Sequence, residues 1–571
     1  MTTKNNTFRI CTWNCAAIND NPFEYYVTID GGDAFDIKSN EEEEKGTSSL
    51  SSVSNDNNND NKKRLKEEQK RYERTMEKID EQLLDRRTKN GLRAMKISDL
   101  LTNEMIEDLR RSIFEGSCAT KDTWTHREFE ECLKFWEHGF KDKLVIEEFL
   151  LNDEIGSKRL CSMPDRLTTK ITLKNDGDGD ESVIVRPCVT TSYADVAVLS
   201  DDKKWWEQWL KFVFMEKNGA IKNIKFLDNK KYPAITDEEV KISRPLQLFC
   251  LAAFDKSLIK LIQNADENWA ETKKMLVDAL VDKKIDATVQ ILENISKDKD
   301  CICLQEVSGQ MREAMSNSAI LSEKFDCLSS PDFDSVRNQN SMVLASKAFF
   351  KSGIWEVVNI DSSKLPAGVA NGDLCVVREI VIDDADDIST TQKRRKPFTI
   401  ASFHGDTNGL QTVDVVKAVN KECNDTTTAP STTTLVFALD ANSHYDDNKG
   451  KRLSCEQMFS AFSTENLANA WGSDFKLCPT TTCNARTFLQ PQLNKAVFYR
   501  DKLTSKLVDR HPKDHVLFSK ASFAVIESKT TRSNDCVSSA PQKMQWLDDC
   551  PFPTLSFPSD HALCSFELEY Y

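Results

Sequence analysis

The sequence has no run of 18 consecutive apolar residues, no Cys-x-x-Cys pair, no internal repeat and no excess of positive charge. The first absence excludes a membrane-spanning helix. The second, with 18 cysteines scattered over 571 residues, argues against a disulfide framework and for buried free thiols in a reducing compartment. Cys301 and Cys303, two apart in an apolar run, read as small hydrophobes on one face of a buried strand. Against 91 acidic residues stand 76 basic ones, a net −15, which excludes general electrostatic capture of duplex nucleic acid. A polyanionic substrate must then be held locally, by a metal or a small basic cluster. The polar start Met1 to Arg9 leaves no room for the charged, apolar and small-residue regions of a signal peptide. The expected location is cytoplasmic or nuclear.

What is present is enough apolar material to fold. Hydrophobic residues make up 39% of the chain, with Phe 30, despite a mean hydropathy of −0.50. The length exceeds what one hydrophobic core usually serves, so two units or one domain with a large insertion is expected. Phe8 to Cys15 reads as a buried strand ending near Asn14. Residues 38–61 are almost devoid of apolar side chains and are expected to be disordered. Beyond them Leu65, Tyr72, Met76, Ile79 and Leu83 recur at helical spacing, and helical patterns continue to about Leu151. Asp176, Asp178 and Asp180 suggest a turn, because Glu181 stands where a calcium loop requires Gly and Pro187 where it requires Glu. Trp205, Trp206, Trp209 and Phe212 read as core packing or an interface, in preference to a base-stacking platform.

From about Asn268 helix and strand alternate. A helix is predicted over Ala270 to Asn294, and strands over Cys301 to Val307, Ser341 to Leu344, Phe398 to Phe403, Leu435 to Leu439, Val516 to Ser519 and Ala562 to Leu568. Strand after strand meets a residue that can bind metal or phosphate: Asn14, Glu306, His404, Asp440 with Asn442, Asp514, and Asp560-His561. Singly, each is as well explained as a cap, an Asx-turn or a satisfied polar residue. Six strand ends with one chemistry are not, and carboxylate, amide and water are the donors that suit magnesium.

In order, Trp13-Asn14, Leu304-Gln-Glu-Val307, Phe403-His404, Leu439-Asp-Ala-Asn-Ser443, Asp514-His-Val-Leu-Phe-Ser519 and Pro558-Ser-Asp-His561 resemble the endonuclease/exonuclease/phosphatase superfamily, of deoxyribonuclease I-like fold. The last tract is most similar to the branch holding carbon-catabolite-repression-type deadenylases, nocturnin and 2′-phosphodiesterase. The resemblance implies an α/β (α+β) four-layer α/β/β/α sandwich with a large, mainly helical insertion. Residues 1–20 would supply its first strand and 266–571 the remainder. The insertion, 21–265, would be disordered over 38–61, mainly helical over 62–165 and mixed over 166–265. Three departures stand out: Leu439-Asp-Ala-Asn442 for the usual Gly-Asp-Phe-Asn, His515 for the usual Tyr, and Gly405 to Gly409 after His404.

The resemblance implies a magnesium-dependent phosphodiesterase, with manganese as a substitute, acting on RNA or a nucleotide. Glu306 would be the principal metal ligand, with Asn14 and Asp560 beside the metal or its waters. Asp440 would orient and deprotonate water, and Asn442 would fix a phosphate oxygen. His561, with Asp514 behind it, and His404 would donate to the phosphoryl group. Arg486, Gln490, Gln492 and Lys495 would bind substrate, although a helix N-terminus with solvated charges explains that tract equally well. Lys393 to Lys396 reads as a solvated hairpin loop in preference to a nuclear address. Two alternatives stay open: a phosphomonoesterase or phospholipid or inositol-phosphate hydrolase, and a decayed scaffold presenting the insert to a protein partner. The Trp-Cys-Asp-Arg signature of inositol-polyphosphate enzymes is replaced here by Arg510-His-Pro-Lys-Asp514.

Overall fold

The β-branched and aromatic runs form strands, and the runs with helical spacing form helices. The computed structural model describes residues 6–25, 27–29, 55–85, 90–116, 124–151, 169–174, 181–215, 219–350, 353–380, 396–424, 434–483, 489, 509–536, 544–548 and 550–571. The strands are β1 (Thr7–Asn14), β2 (Lys170–Lys174), β3 (Glu181–Val185), β4 (Cys301–Val307), β5 (Phe325–Ser329) and β6 (Asn340–Ser346). They continue with β7 (Trp355–Val357), β8 (Leu374–Glu379), β9 (Phe398–His404), β10 (Thr434–Asp440), β11 (Leu467–Asn469) and β12 (Asp514–Ser519). The last are β13 (Phe523–Val525), β14 (Thr531–Ser533), β15 (Asp535–Cys536), β16 (Met544–Gln545) and β17 (Leu563–Tyr570).

Two mixed sheets face each other. The first runs β13-β17-β1-β4-β6-β5, with β14 also on β17, and the second runs β11-β12-β10-β9-β8-β7. β1 is parallel to β4 and antiparallel to β17, so the chain's first and last described strands are neighbours. Phe8, Cys303, Val377, Ile400, Val436 and Val516 share one core drawn from both sheets. A polar clasp crosses it: Gln305 Nε2 donates to Ser402 Oγ (2.9 Å), which donates to the Leu304 carbonyl (2.8 Å). Helices lie outside. Thr412–Asn424 and Cys455–Thr464 bring Val415, Val419, Met458 and Phe462 onto Phe403, Leu435 and Phe437 of the second sheet. Lys284–Ile295 and Gly309–Asn317 add Ile291, Leu292, Met311 and Met315 to the core of the first.

Residues between β1 and β4 have a core of their own, running from Phe23 and Tyr72 to Trp269 and Leu276. Its axis is the helix Asp237–Ala265, buried on nearly all sides beyond Ile242. The predicted stripe is buried at Tyr72, Met76, Ile79 and Leu83. The tryptophans are core: Trp205, Trp206 and Trp209 are buried, and their indole N–H groups donate to the Pro187 carbonyl, Asp108 and Asp255. Among the described residues, no helix is long and apolar enough to cross a membrane.

Two expectations change. The helix over Asn55–Leu84 takes in residues 55–61, assigned above to the disordered run. Helix propagates cheaply from a turn already anchored by packing, so an apolar-poor stretch joins it. The helix expected over Ala270 to Asn294 is broken into Trp269–Val277 and Lys284–Ile295 by a π-turn at Asp278–Asp282. The break turns Leu276 toward the insert's core and Ile291 and Leu292 toward the sheets, which one straight stripe cannot do. Residues 38–54, the Asp176 to Asp180 turn and Lys393 to Arg395 lie outside the described residues.

Arg186 and Asp255 form a buried bidentate pair at the insert's centre, with Trp209 as a third partner. Removing one member strands the other charge. Asp255→Ala is expected to cost about 3–5 kcal/mol of stability, measured as a large fall in thermal midpoint, whereas Glu238→Ala, which breaks the exposed pair with Lys241, is expected to cost far less.

Candidate active site

Strand register assembles the site. In the second sheet Asp440 pairs with His404 of parallel β9 and with Asp514 of antiparallel β12, so three polar residues stand abreast at one edge. In the first sheet Asn14 pairs with Gln305, which places Glu306 beside it. His561 lies two residues before β17, itself antiparallel to β1. All of the expected carboxylate, amide and imidazole groups therefore reach one rim of the two sheets.

Asn14 joins the halves. Its fully buried amide donates to Asp440 Oδ2 (2.9 Å) and to Glu306 Oε1 (3.1 Å), while its Oδ1 accepts from the Ala16 N–H (2.8 Å). Glu306 Oε2 accepts from the Ala17 N–H (2.6 Å), and His404 Nε2 lies 3.2 Å from Glu306 Oε1. Burial alone would raise the Glu306 pKa, but His404, Ala17 and Asn14 hold it well below the usual carboxylate range. Burial likewise opposes the charge on His404, yet Glu306 and Asp440 raise it to about 9. Backbone strain marks the same place: Ala16, Glu306 and Asn442 have φ of 52°, 56° and 48°.

On the other side, His561 Nδ1 lies 3.0 and 3.1 Å from the two oxygens of buried Asp514. Its Nε2 faces Asp440 Oδ2 at 3.8 Å. Desolvation works against the imidazolium, but Asp514 and Asp440 outweigh it and raise His561 to about 10. Several residues hold this pair without being singled out by the sequence. Trp13 Nε1 donates to the His561 carbonyl (3.0 Å), Ser559 Oγ donates to the Asn14 carbonyl (2.7 Å) and accepts from the His561 N–H (3.0 Å). Buried Lys284 donates to the Pro558 carbonyl (2.7 Å). Ser559 was visible inside Pro558-Ser-Asp-His561; Lys284, in a helix, had no signal.

Asn442 differs from its expected posture. Its amide donates to the Gly405 carbonyl (3.1 Å) and lies 3.4 Å from Asp440 Oδ2, and its N–H donates to Asp440 Oδ1 (3.0 Å). It grips Asp440. The glycines after His404 have a matching reason: a Cβ on Gly409, at φ +68°, would meet the Ala441 carbonyl at 2.5 Å, and one on Gly405 the Asp440 carbonyl at 2.9 Å. His515 is structural. Its Nε2 lies 2.6 Å from the Pro512 carbonyl and 2.9 Å from Ser443 Oγ, and its Nδ1 accepts from Asn469 (3.0 Å).

A cleft of about 280 Å³ opens at the rim, lined by Glu306, Asp560, Lys284, Tyr25 and the Ala16–Pro22 segment. Its carboxylates are Glu306, Asp560 and Asp20, no cysteine or histidine lines it among the described residues, and there is room for water. That donor set fits magnesium. Arg486, Gln490, Gln492 and Lys495 lie outside the described residues; between them Leu489 is placed, its N–H donating to the Phe23 carbonyl (2.9 Å).

The arrangement is mixed α/β, with two mixed sheets packed face to face. A model described as "Domain of unknown function (DUF8234)" matches residues 94–274, between β1 and β4. No curated protein sequence matches the chain. Among solved structures, truncated TDP2 from Caenorhabditis elegans aligns at 15% identity and TM-score 0.30, over 51% of this chain and 92% of that one. The human Nocturnin catalytic domain with bound sulfate aligns at 16% and 0.29, over 50% and 87%. ANGEL2, described as a 2',3'-cyclic phosphatase in complex with adenosine-2',3'-vanadate, aligns at 11% and 0.31, over 52% and 88%. These scores carry no argument about activity, which the side chains must supply.

Burial lowers the His515 pKa to about 4. With an unfolded value of about 6.5, the neutral ring contributes its full stability above that pH and loses it as pH falls toward about 4. The thermal midpoint is expected to drop across this window, and His515→Gln, which keeps an amide donor and acceptor, is expected to flatten the drop.

Proposed function

We propose that the protein hydrolyses phosphate esters by in-line attack of water with the help of a magnesium ion, its substrate being RNA or a nucleotide. The carrying observation is the line Asp514–His561–Asp440, with His561 hydrogen-bonded on one side and aimed at Asp440 on the other. Glu306 would hold the ion, with Asp560 across the cleft and Asn14 beside it. Bound there, magnesium, or manganese in its place, would neutralise charge on the phosphoryl oxygens.

The chain's own residues do the rest. Asp440, oriented by Asn14 and Asn442, accepts the proton of the attacking water at Oδ2. Asn442 acts through Asp440; this replaces its expected role as a phosphate donor. His561, protonated and fixed by Asp514, donates from Nε2 to a non-bridging oxygen as negative charge builds. His404, charged beside Glu306, is a second donor on the same oxygens. Net −15 favours a single-stranded end or a small molecule over a long duplex as substrate.

The test is hydrolysis of a panel of oligo(A), nucleotides, inositol phosphates and sphingomyelin with and without magnesium. Turnover of oligo(A) or a nucleotide is expected, lost in chelator and restored by magnesium. Asp440→Asn, which keeps side-chain shape, is expected to lower kcat by about 10²–10⁴ with the protein still folded by circular dichroism. Undiminished kcat in Asp440→Asn, or no hydrolysis anywhere on the panel, would overturn the reading.

A further inference from the structure

Behind the catalytic rim lies a second group of ligand-type side chains that the proposed reaction does not use. His444 sits two residues past Asn442 in the loop after β10, while Asp509 and His511 sit in the segment that leads into β12. One donor atom from each lies within 4.8 Å of the other two. The His444 and His511 rings meet edge to face with centroids 4.4 Å apart, and His511 Nε2 is 3.6 Å from Asp509 Oδ1. Two ligands on a tetrahedral ion with bonds of about 2.0–2.1 Å stand about 3.3–3.5 Å apart, so that last spacing already fits a shared ion.

The independent observation is what these rings lack. His444 is only 7% exposed, and neither of its ring nitrogens has a hydrogen-bond partner among the described residues; the same holds for Nδ1 of His511. A buried imidazole with both nitrogens unsatisfied forfeits the hydrogen bonds it had in water. The backbone does not let the ring escape. The His444 N–H donates to the Leu453 carbonyl, its carbonyl accepts from the Cys455 N–H, and the Thr481 N–H holds the His511 carbonyl. Lys513 Nζ donates to Asp509 Oδ2 at 2.9 Å, and Asp509 Oδ1 is the oxygen 3.6 Å from His511 Nε2.

We propose that His444, Asp509 and His511 form a second metal site, for a borderline transition metal such as zinc, with water completing the coordination. Two imidazoles and one carboxylate suit zinc, whereas the oxygen-lined cleft at Glu306 suits magnesium. Burial first, then His511 and the cations Arg452 and Lys513, lower His444 to about 4, and burial also lowers His511, which favours the neutral rings that ligands must be. The same two cations repel an incoming dication, so a moderate affinity is expected. An ion here ties the loop carrying Asp440 and Asn442 to the segment carrying Asp514, and these already share the bonds from the Ala441 N–H to the Lys513 carbonyl and from Ser443 Oγ to the Pro512 carbonyl.

The full-length, chelator-stripped chain is titrated with zinc chloride in excess magnesium, read by calorimetry, and with cobalt(II), read by its visible absorption. One zinc per chain and a cobalt spectrum with imidazole ligation are expected. Uptake should survive Glu306→Gln, which separates this site from the proposed catalytic one. The double variant His444→Asn/His511→Asn should bind at least about tenfold more weakly. Asp509→Asn, which leaves both rings in place, should weaken binding by a smaller factor and decides the matter if the double variant does not fold. No zinc uptake by the wild type, uptake lost in Glu306→Gln, or unchanged affinity in Asp509→Asn would overturn the proposal.

Discussion

One primary amide holds the site together. Asn14 sends its two hydrogens to carboxylates on different sheets, Glu306 on the first and Asp440 on the second. Without it two buried anions would face each other across the rim, and at such separations in a low dielectric their repulsion exceeds the energy of a single hydrogen bond. His404 and His561 complete the balance from either side, and their raised pKa values measure how much negative charge they face. The carboxylates are therefore held close together in the form that the proposed reaction requires, with left-handed backbone at Ala16, Glu306 and Asn442.

The insert departs from the chain right after that amide. Residues Ala16 to Tyr25 leave β1, line one wall of the cleft, and then enter the insert's core at Phe23. Phe23 in turn meets Leu489, which comes from the opposite end of the chain. The helix pair that returns to β4 passes through a π-turn at the cleft edge, with Leu280 in its lining, and continues into the helix whose Lys284 supports Pro558. The wall of the cleft and the frame of the site are thus continuous with the insert at both of its ends.

Much of this was legible in the sequence because strands and strand ends carry strong local signals. The runs from Phe8, Cys301, Phe398, Leu435 and Val516 each became strands, with their chemical residues where the pattern stopped. Sequence could pair Asp514 with His561 only through a family resemblance; the structure supplies the 3.0 Å contact. Other features left no local trace. Asn442 turns toward Gly405 because a loop rich in glycine presses against it, and Lys284 serves a carbonyl nearly the whole catalytic half away in sequence. The break in the helix before β4 follows from two cores claiming opposite faces, which periodicity within one stretch cannot show. His444 and His511, 67 residues apart in sequence, carry no local sign of the edge-to-face contact that folding gives their rings.

The placement of β1 between β4 and β17 has a consequence for biogenesis. β1 acquires its antiparallel neighbour only when β17 emerges, after the insert and both sheets' other strands. Until then its edge is open, Asn14 has no Ser559 against its carbonyl, and His561 does not exist on the nascent chain. The rim is therefore complete only once β17 has been made, and a chain stopped short of it lacks the His561–Asp440 contact on which the proposed hydrolysis depends.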